Sequence, residues 1–567
     1  MVALGVVYAG LMAALPATAF FSGDEGIKWL QIDALWRHQW TSLAIDPPGG
    51  AFDPNAEFIP SFLVNQGGEV RSVFPVLMPL IASVPYALAG SVGIYLVPAI
   101  ASILCLAAAA RLARFVLPPG WAMTAGVASV AATPLVFYGA TLWEHALAAA
   151  LCTAAMIFLS KSQSDKETGR PVMLGLAAGI LLGLAALART ECFALVPAVA
   201  AAGALAWGPV VFWPQAAGIF TGAGLLLLPQ ALYHRIALGS WMPPHLAANM
   251  PGGALGRAGQ KPWVVAADLI GPAGWGATFA GIVLATGILW LLDRARRSRR
   301  QARQHRTLIA IITAAALLTA ALLLIGPVRT LGLEFSGLPL STHDRGYQSL
   351  LHTMPIVALL PLALLLPLAP ATPRRPHAQF FGWTAALFVA LTLALAPVEG
   401  GLQWGPRLLL PVAPLITMTL ISAIVERRSA KGGRLAMAGL GLALALGFVM
   451  QGLGMRFLVA VRTYNAGVVE QVRRTVPAGD AILSDFFAVP QLLATLSPAT
   501  PVLYVKPGSD IEGLSARLEA ADATPFWIMR KPPTAGGQVV PLGAGLSLVR
   551  YQRESGVRGY ARSPLGD

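Results

Sequence analysis

Ser22-Gly23-Asp24-Glu25-Gly26 follows an apolar run at residues 2–21, and its reading decides how the rest of the chain is taken. A run of roughly 20 apolar residues is what a helix needs to cross the hydrocarbon core of a bilayer. Two adjacent carboxylates therefore stand where the chain leaves lipid. A carboxylate at that place, beside a long polar stretch, suits a general base or a ligand for a divalent cation. It also suits a solvated helix end, so the surroundings have to decide.

The chain has 567 residues, of which 56% are hydrophobic and only 12% charged. Its mean hydropathy is +0.66. A soluble protein of this size cannot bury so much apolar surface, and the apolar runs approach spanning length one after another. The formal net charge of +14 would suggest nucleic acid in a soluble protein. Here the positive charge falls in short loops between apolar runs, as in a topology signal. Cys105, Cys152 and Cys192 lie within apolar segments and show neither metal-ligand spacing nor a disulfide framework. The first apolar run has no basic segment before it and no convincing small-residue cleavage site. It reads as a retained helix rather than a removed signal peptide.

After the acidic pair the polar stretch continues to about residue 74. Its first part, 27–40, has apolar residues at helical spacing with interleaved tryptophans, which predicts a helix lying at the membrane interface. The next run, 74–90, is interrupted by Pro75, Pro79 and Pro85 and reads as a juxtamembrane or partly inserted element. Spans are predicted at 91–113, 121–138, 143–160, 172–188, 192–208, 211–232, 268–292, 307–327, 350–369, 379–396, 408–425 and 435–455. The expected fold is an all-α polytopic membrane protein of about 13 transmembrane helices with a small C-terminal α/β extracytoplasmic domain. The division is 1–455 for the membrane part, with 22–75 its first outer loop, and 456–567 for the outer domain and tail. In that last part, 481–483, 502–505 and 525–529 are short β-like runs with helical stretches between them.

Residues 293–306 hold seven arginines against one aspartate. With 13 spans and the N-terminus inside, this loop and the other basic loops all fall on the cytoplasmic side. The alternative for the arginine run is a nucleic-acid or headgroup patch. The ionisable residues near the membrane then gather on the opposite face, where such groups line a cavity or a site.

Five constellations on that face could carry chemistry. They are Asp24-Glu25 with Lys28 one turn on, Trp143-Glu144-His145, Arg189-Thr190-Glu191, His343-Asp344-Arg345, and Gln403-Trp404-Gly405-Pro406-Arg407. Each also has a plain reading, such as a capping Glu144 or an Arg189–Glu191 pair that satisfies itself. An arginine at the outer membrane surface is equally a natural phosphate clamp. There is no GxxxxGK[ST], no GxGxxG after a strand, no HExxH and no GxSxG, so ATP-driven transport and zinc proteolysis have no support.

In the order and sidedness of these stretches the chain resembles the GT-C superfamily of polytopic glycosyltransferases, which includes protein O-mannosyltransferases and the aminoarabinose transferases of lipid A. The acidic pair after the first helix carries the resemblance. So do Val73-Phe74-Pro75-Val76-Leu77-Met78-Pro79-Leu80, the stretches 138–147 and 184–197, and Trp404-Gly405-Pro406-Arg407. Leu408 stands where an aromatic residue is common. The resemblance covers roughly residues 1–455 and implies a GT-C-like fold and a sugar carried on a polyprenyl phosphate or diphosphate.

It implies Asp24 as the general base on an acceptor hydroxyl, with Glu25 assisting or joining Asp24 on a divalent cation such as Mg or Mn. Arg407, Arg189, Lys28 and Arg71 would hold the donor phosphate. Glu144, His145, His343, Asp344, Arg345 and Trp404 would meet substrate. The implied partners are a polyprenyl-phosphate-linked sugar, membrane lipid and a glycan, lipid or protein acceptor, with no nucleic acid. The implied place is a bacterial inner membrane, with the site facing the periplasm. The alternatives are a transporter or flippase of lipid-linked glycans, or a non-catalytic carrier-binding protein.

Overall fold

The computed structural model describes residues 1–164, 170–241, 353–359, 374–395, 403–426, 428, 433–497, 499–506, 508–529, 539–543 and 545–550. Among these residues, eight helices are long and apolar enough to cross a membrane. The expected spans at 268–292 and 307–327, and most of 350–369, lie outside the described residues, as does His343-Asp344-Arg345.

The first helix, α1 (Val2–Ala14), is shorter than the expected span. Leu15 is extended at φ −102°, ψ 137°. Pro16 follows it, and a residue before proline is driven out of the helical region. The polar stretch then opens with α2 (Gly23–Arg37), so Asp24 and Glu25 sit in a helical first turn and not in a loop. There the N-terminal end of the helix dipole favours negative charge. The helix expected over 27–40 is enclosed by protein: every residue from Glu25 to Leu35 is buried, while Trp36 near its end and Trp40 just beyond it are half exposed. A hairpin, β1 (Leu63–Gln66) and β2 (Glu69–Ser72), follows in the stretch between α2 and α3.

The proline-rich run, expected as a juxtamembrane or partly inserted element, forms the 13-residue α3 (Leu77–Ala89), which ends at Gly90 (φ +59°) ahead of a 3-10 segment and α4 (Leu96–Ala113). Pro79 lies in the first turn of α3, where a missing N–H costs little, and Pro85 lies inside the helix, four residues before its end. Leu80, Ile81, Val84 and Leu88 are exposed along it, as lipid-facing positions should be.

Next come α5 (Pro119–Ala131), the single turn α6 (Leu135–Tyr138) and α7 (His145–Ser164). Then follow α8 (Pro171–Ala188), α9 (Leu195–Trp207) and α10 (Pro209–Leu238). A Cβ on Gly175 or Gly179 of α8 would overlap the backbone of Gln215 or Ile219 of α10. Small residues at four-residue spacing let membrane helices approach this closely. That seam fixes α8, whose C-terminal end delivers Arg189.

After α11 (Arg375–Leu395), a 3-10 turn at Arg407–Val412 leads into α12 (Ala413–Val425). Then α13 (Gly433–Thr475) runs without a break across residue 455, carrying the helix beyond the expected 435–455. The remaining segment holds a five-stranded sheet in the order β4-β3-β5-β7-β6. Its strands are β3 (Ala481–Ser484), β4 (Val502–Tyr504), β5 (Pro525–Met529), β6 (Val539–Gly543) and β7 (Leu546–Arg550). The first three are parallel neighbours, and β7 runs antiparallel to both β5 and β6. Helices α14 (Ala488–Leu492) and α15 (Ile511–Ala520) lie between the parallel strands, the α/β pattern the sequence suggests.

Candidate active site

Three polar stretches far apart in sequence, 143–145, 189–191 and 403–407, converge at the first turn of α2. On a helix, residues i, i+4 and i+7 share one stripe, so Asp24, Lys28 and Gln31 face the same way. Lys28 Nζ lies 3.0 Å from both carboxylate oxygens of Glu144, with both side chains almost fully buried. Arg189 Nη1 lies 3.5 Å from the same carboxylate, and its Nε bonds Glu191. Glu144 thus holds two cations, as a charge withdrawn from water must be held. It sits at the N-terminus of α7, while Arg189 sits at the C-terminus of α8, each with the sign its helix dipole favours.

Arg407 completes the cleft. Its Nη1 lies 3.4 Å from Asp24 Oδ2, and its guanidinium lies 4.9 Å from the centroid of the Trp143 ring. Lys28 Nζ lies 5.4 Å from the centroid of the same ring. Trp143, Tyr138 and His145 stack on one another beneath these cations, Tyr138 and His145 with centroids 4.1 Å apart. Gly405, at φ +71°, turns the chain so that Arg407 enters the cleft; a side chain there would also overlap Pro134.

The cations differ in what they have left to give. Lys28 and Arg189 are committed to Glu144 and Glu191. The buried Nε of Arg407 has no hydrogen-bond partner among the described residues, and its single bond to Asp24 is long. Arg407 is therefore the cation best placed to accept an anionic ligand. Arg71, on β2, is not in this cleft: it pairs with Glu69 and donates to the Tyr233 hydroxyl at 3.2 Å.

Glu25 is placed unlike Asp24. It is fully buried, its Oε2 accepting from Phe21 N at 2.6 Å and its Oε1 from Leu142 N at 2.7 Å. Burial pushes its carboxyl up from the ordinary range, opposed by Arg462, the two backbone donors and Lys28. Both oxygens are occupied in joining the start of α2 to the loop that carries Trp143 and Glu144. The Asp24–Glu25 pair accordingly does not fit a shared cation, and no group of three His, Cys, Asp or Glu able to hold one occurs among the described residues. Trp404 is also in the core: it is 0% exposed, and its Nε1 donates to Gln451 Oε1 at 3.0 Å. His145 is buried too, with Nδ1 3.4 Å from Arg189 Nη1.

The polar cleft has a volume of ≈ 30 Å³ and is lined by Asp24, Lys28, Trp143, Glu144, Arg189, Glu191 and Arg407 among others. Phe74, Pro75 and Thr190 form a wall shared with a larger groove of ≈ 240 Å³. That groove runs between α3, α8 and α10 and is lined mainly by Val73, Val76, Leu77, Leu80, Ala186 and Leu187, with Arg71, Tyr233 and His234 at one part. The sequence reading named neither Trp143 and Tyr138 as site residues nor the groove. Trp143 stands inside a quoted constellation, so its position was the available signal.

No protein-family model matches the chain, and no curated protein matches it. Several solved structures are similar to the chain. One is the Archaeoglobus fulgidus oligosaccharyltransferase in the apo form. It is 12% identical with a TM-score of 0.48, over 93% of this chain and 69% of that one. Another is ArnT from Cupriavidus metallidurans bound to undecaprenyl phosphate, 14% identical with a TM-score of 0.45 over 97% of each chain.

Proposed function

We propose that the chain is a membrane glycosyltransferase that moves a sugar from a polyprenyl-phosphate-type carrier to an acceptor hydroxyl. The observation that carries this reading is the junction of a charged cleft with an apolar groove across the Phe74–Pro75 wall. An amphiphile with a phosphate head and an isoprenoid chain matches both halves at once. The head would meet Arg407 and the chain would lie along Leu77, Leu80 and Ala186.

In this reading Asp24 accepts the proton of the acceptor hydroxyl as its oxygen bonds to the anomeric carbon. The bond from that carbon to the phosphate oxygen breaks, and the electron pair leaves on the phosphate. Arg407 faces the growing negative charge with a fork of donors suited to phosphate. Lys28, Arg189 and Glu144 keep the cleft close to neutral and fix its walls. A neutral cleft with one under-used arginine lets a phosphate enter and leave, which turnover requires.

The proposed place is a bacterial inner membrane, multi-pass, with the cleft and the segment after residue 455 on the periplasmic side. The orientation follows the basic loops, above all 293–306. The purified protein in proteoliposomes, supplied with polyprenyl-phosphate sugars and an acceptor panel, tests the reading. Sugar transfer that needs the lipid phosphate is the expected result. Binding of the carrier with no transfer to any acceptor would overturn it.

A further inference from the structure

Glycine costs a helix about 1 kcal/mol relative to alanine, yet α2 carries Gly23 and Gly26 in its first turn. The two lie on the face turned toward α14, away from the stripe of Asp24 and Lys28. A Cβ on Gly26 would overlap the backbone carbonyl oxygen of Gln491, and one on Gly23 would overlap the Gln491 side-chain amide oxygen. Gln491 is itself buried, its Nε2 donating to Ser61 O at 3.1 Å. The missing side chains therefore let the outer segment press directly on the turn that carries Asp24.

The segment leading into α2 is held from the same end of the chain. Arg462 of α13 donates to Ala19 O at 3.0 Å and to Pro16 O at 2.7 Å, and Asn465 donates to Phe20 O at 2.7 Å. The strand β4 adds two backbone bonds to the first outer loop, from Val502 N to Pro48 O and from Tyr504 N to Phe58 O. These bonds satisfy buried carbonyls that would otherwise be costly. They also leave the first turn of α2 little freedom to move away from Arg407.

We infer that the outer segment is a positioning element for the site, with Gln491 setting the placement of Asp24 through Gly23 and Gly26. The inference rests on the reading of Asp24 as the base. None of these three residues touches the cleft; they act through the position of the helix. A displacement near 1 Å at a reacting group can cost up to about a hundredfold in rate.

The two glycines make the inference testable, because they meet different parts of Gln491. Gly23→Ala meets a side chain that Gln491→Ala removes, whereas Gly26→Ala meets a backbone oxygen that it cannot remove. The expected result is that Gly23→Ala lowers kcat about tenfold or more, with KM for the carrier-linked sugar within about twofold. Adding Gln491→Ala restores kcat to that of the Gln491→Ala single variant. Gly26→Ala loses kcat and is not restored. Wild-type kcat in both glycine variants, or a Gly23→Ala loss that Gln491→Ala does not restore, would overturn the inference.

If the wild-type protein transfers no sugar at all, the glycosyltransferase reading fails and the contact is read from thermal unfolding instead. A Tm lowered by Gly23→Ala and restored in the double variant supports the positioning contact. An unrestored Tm overturns it.

Discussion

Arg407 Nη1 and Asp24 Oδ2 meet at 3.4 Å, although the residues are 383 positions apart in the chain. In the proposed reaction the pair would set a proton acceptor beside a phosphate-binding group, and both side chains keep some exposure, 25% for Asp24 and 14% for Arg407. The bond is long enough that an incoming anion can draw the arginine away without breaking a tight ion pair. A loose contact suits the two opposite roles proposed for these residues.

Arg407→Ala is expected to weaken binding of polyprenyl phosphate roughly ten- to a hundredfold, the equivalent of a charged hydrogen bond of about 1.5–3 kcal/mol. Arg407→Lys keeps the charge but loses the fork and should fall between. Equilibrium binding of the carrier phosphate to the purified protein checks both, and equal affinity in all three proteins would remove Arg407 from the phosphate site.

Glu144 is the shared partner of Lys28 and Arg189. Removing it leaves two buried cations facing each other. Glu144→Ala should therefore destabilise the fold by about 3–5 kcal/mol, the scale for breaking a buried pair. Replacing both partners at once, with Lys28→Met and Glu144→Leu, should cost less than Glu144→Ala alone. Thermal unfolding in detergent compares the two, and the reverse ranking would show that the network is not arranged as described.

Glu25 offers one oxygen to each of two backbone N–H groups, and glutamine has only one oxygen to offer. Glu25→Gln should lower stability by about 1–3 kcal/mol, the cost of a buried donor left unpaired, while part of the transfer activity survives. A Glu25→Gln protein of normal stability and no activity would instead make Glu25 a reactant.

Much of the site was legible in the sequence because charged residues beside apolar runs are costly and must find one another. Asp24, Lys28, Glu144, Arg189 and Arg407 each stand at such a break, and the structure brings all five into one cleft. What sequence could not supply was the distribution of partners among them. Asp24 and Glu25 are neighbours of the same chemistry, but one faces the cleft and the other is turned 100° around the helix into backbone donors. The burial of α2 was hidden for a similar reason. Its tryptophans suggest a membrane surface, yet the cover comes from α3 and from α14, the latter over 450 residues later in the chain. The strands β6 and β7 are not among the β-like runs the sequence singles out: glycines and Pro541 interrupt 536–545, and antiparallel pairing holds the two strands on the edge of the sheet.

The central claim is that Asp24 takes the acceptor proton, and one comparison tests it most directly. Wild type and Asp24→Asn are placed in proteoliposomes with a radiolabelled polyprenyl-phosphate sugar and an acceptor, and transfer is measured beside carrier binding and Tm. Asparagine keeps the shape of the side chain but cannot accept the proton, so transfer should fall by about a hundredfold or more. Carrier binding and Tm should stay close to wild type. Near-normal transfer by Asp24→Asn would contradict the account and remove Asp24 from the mechanism.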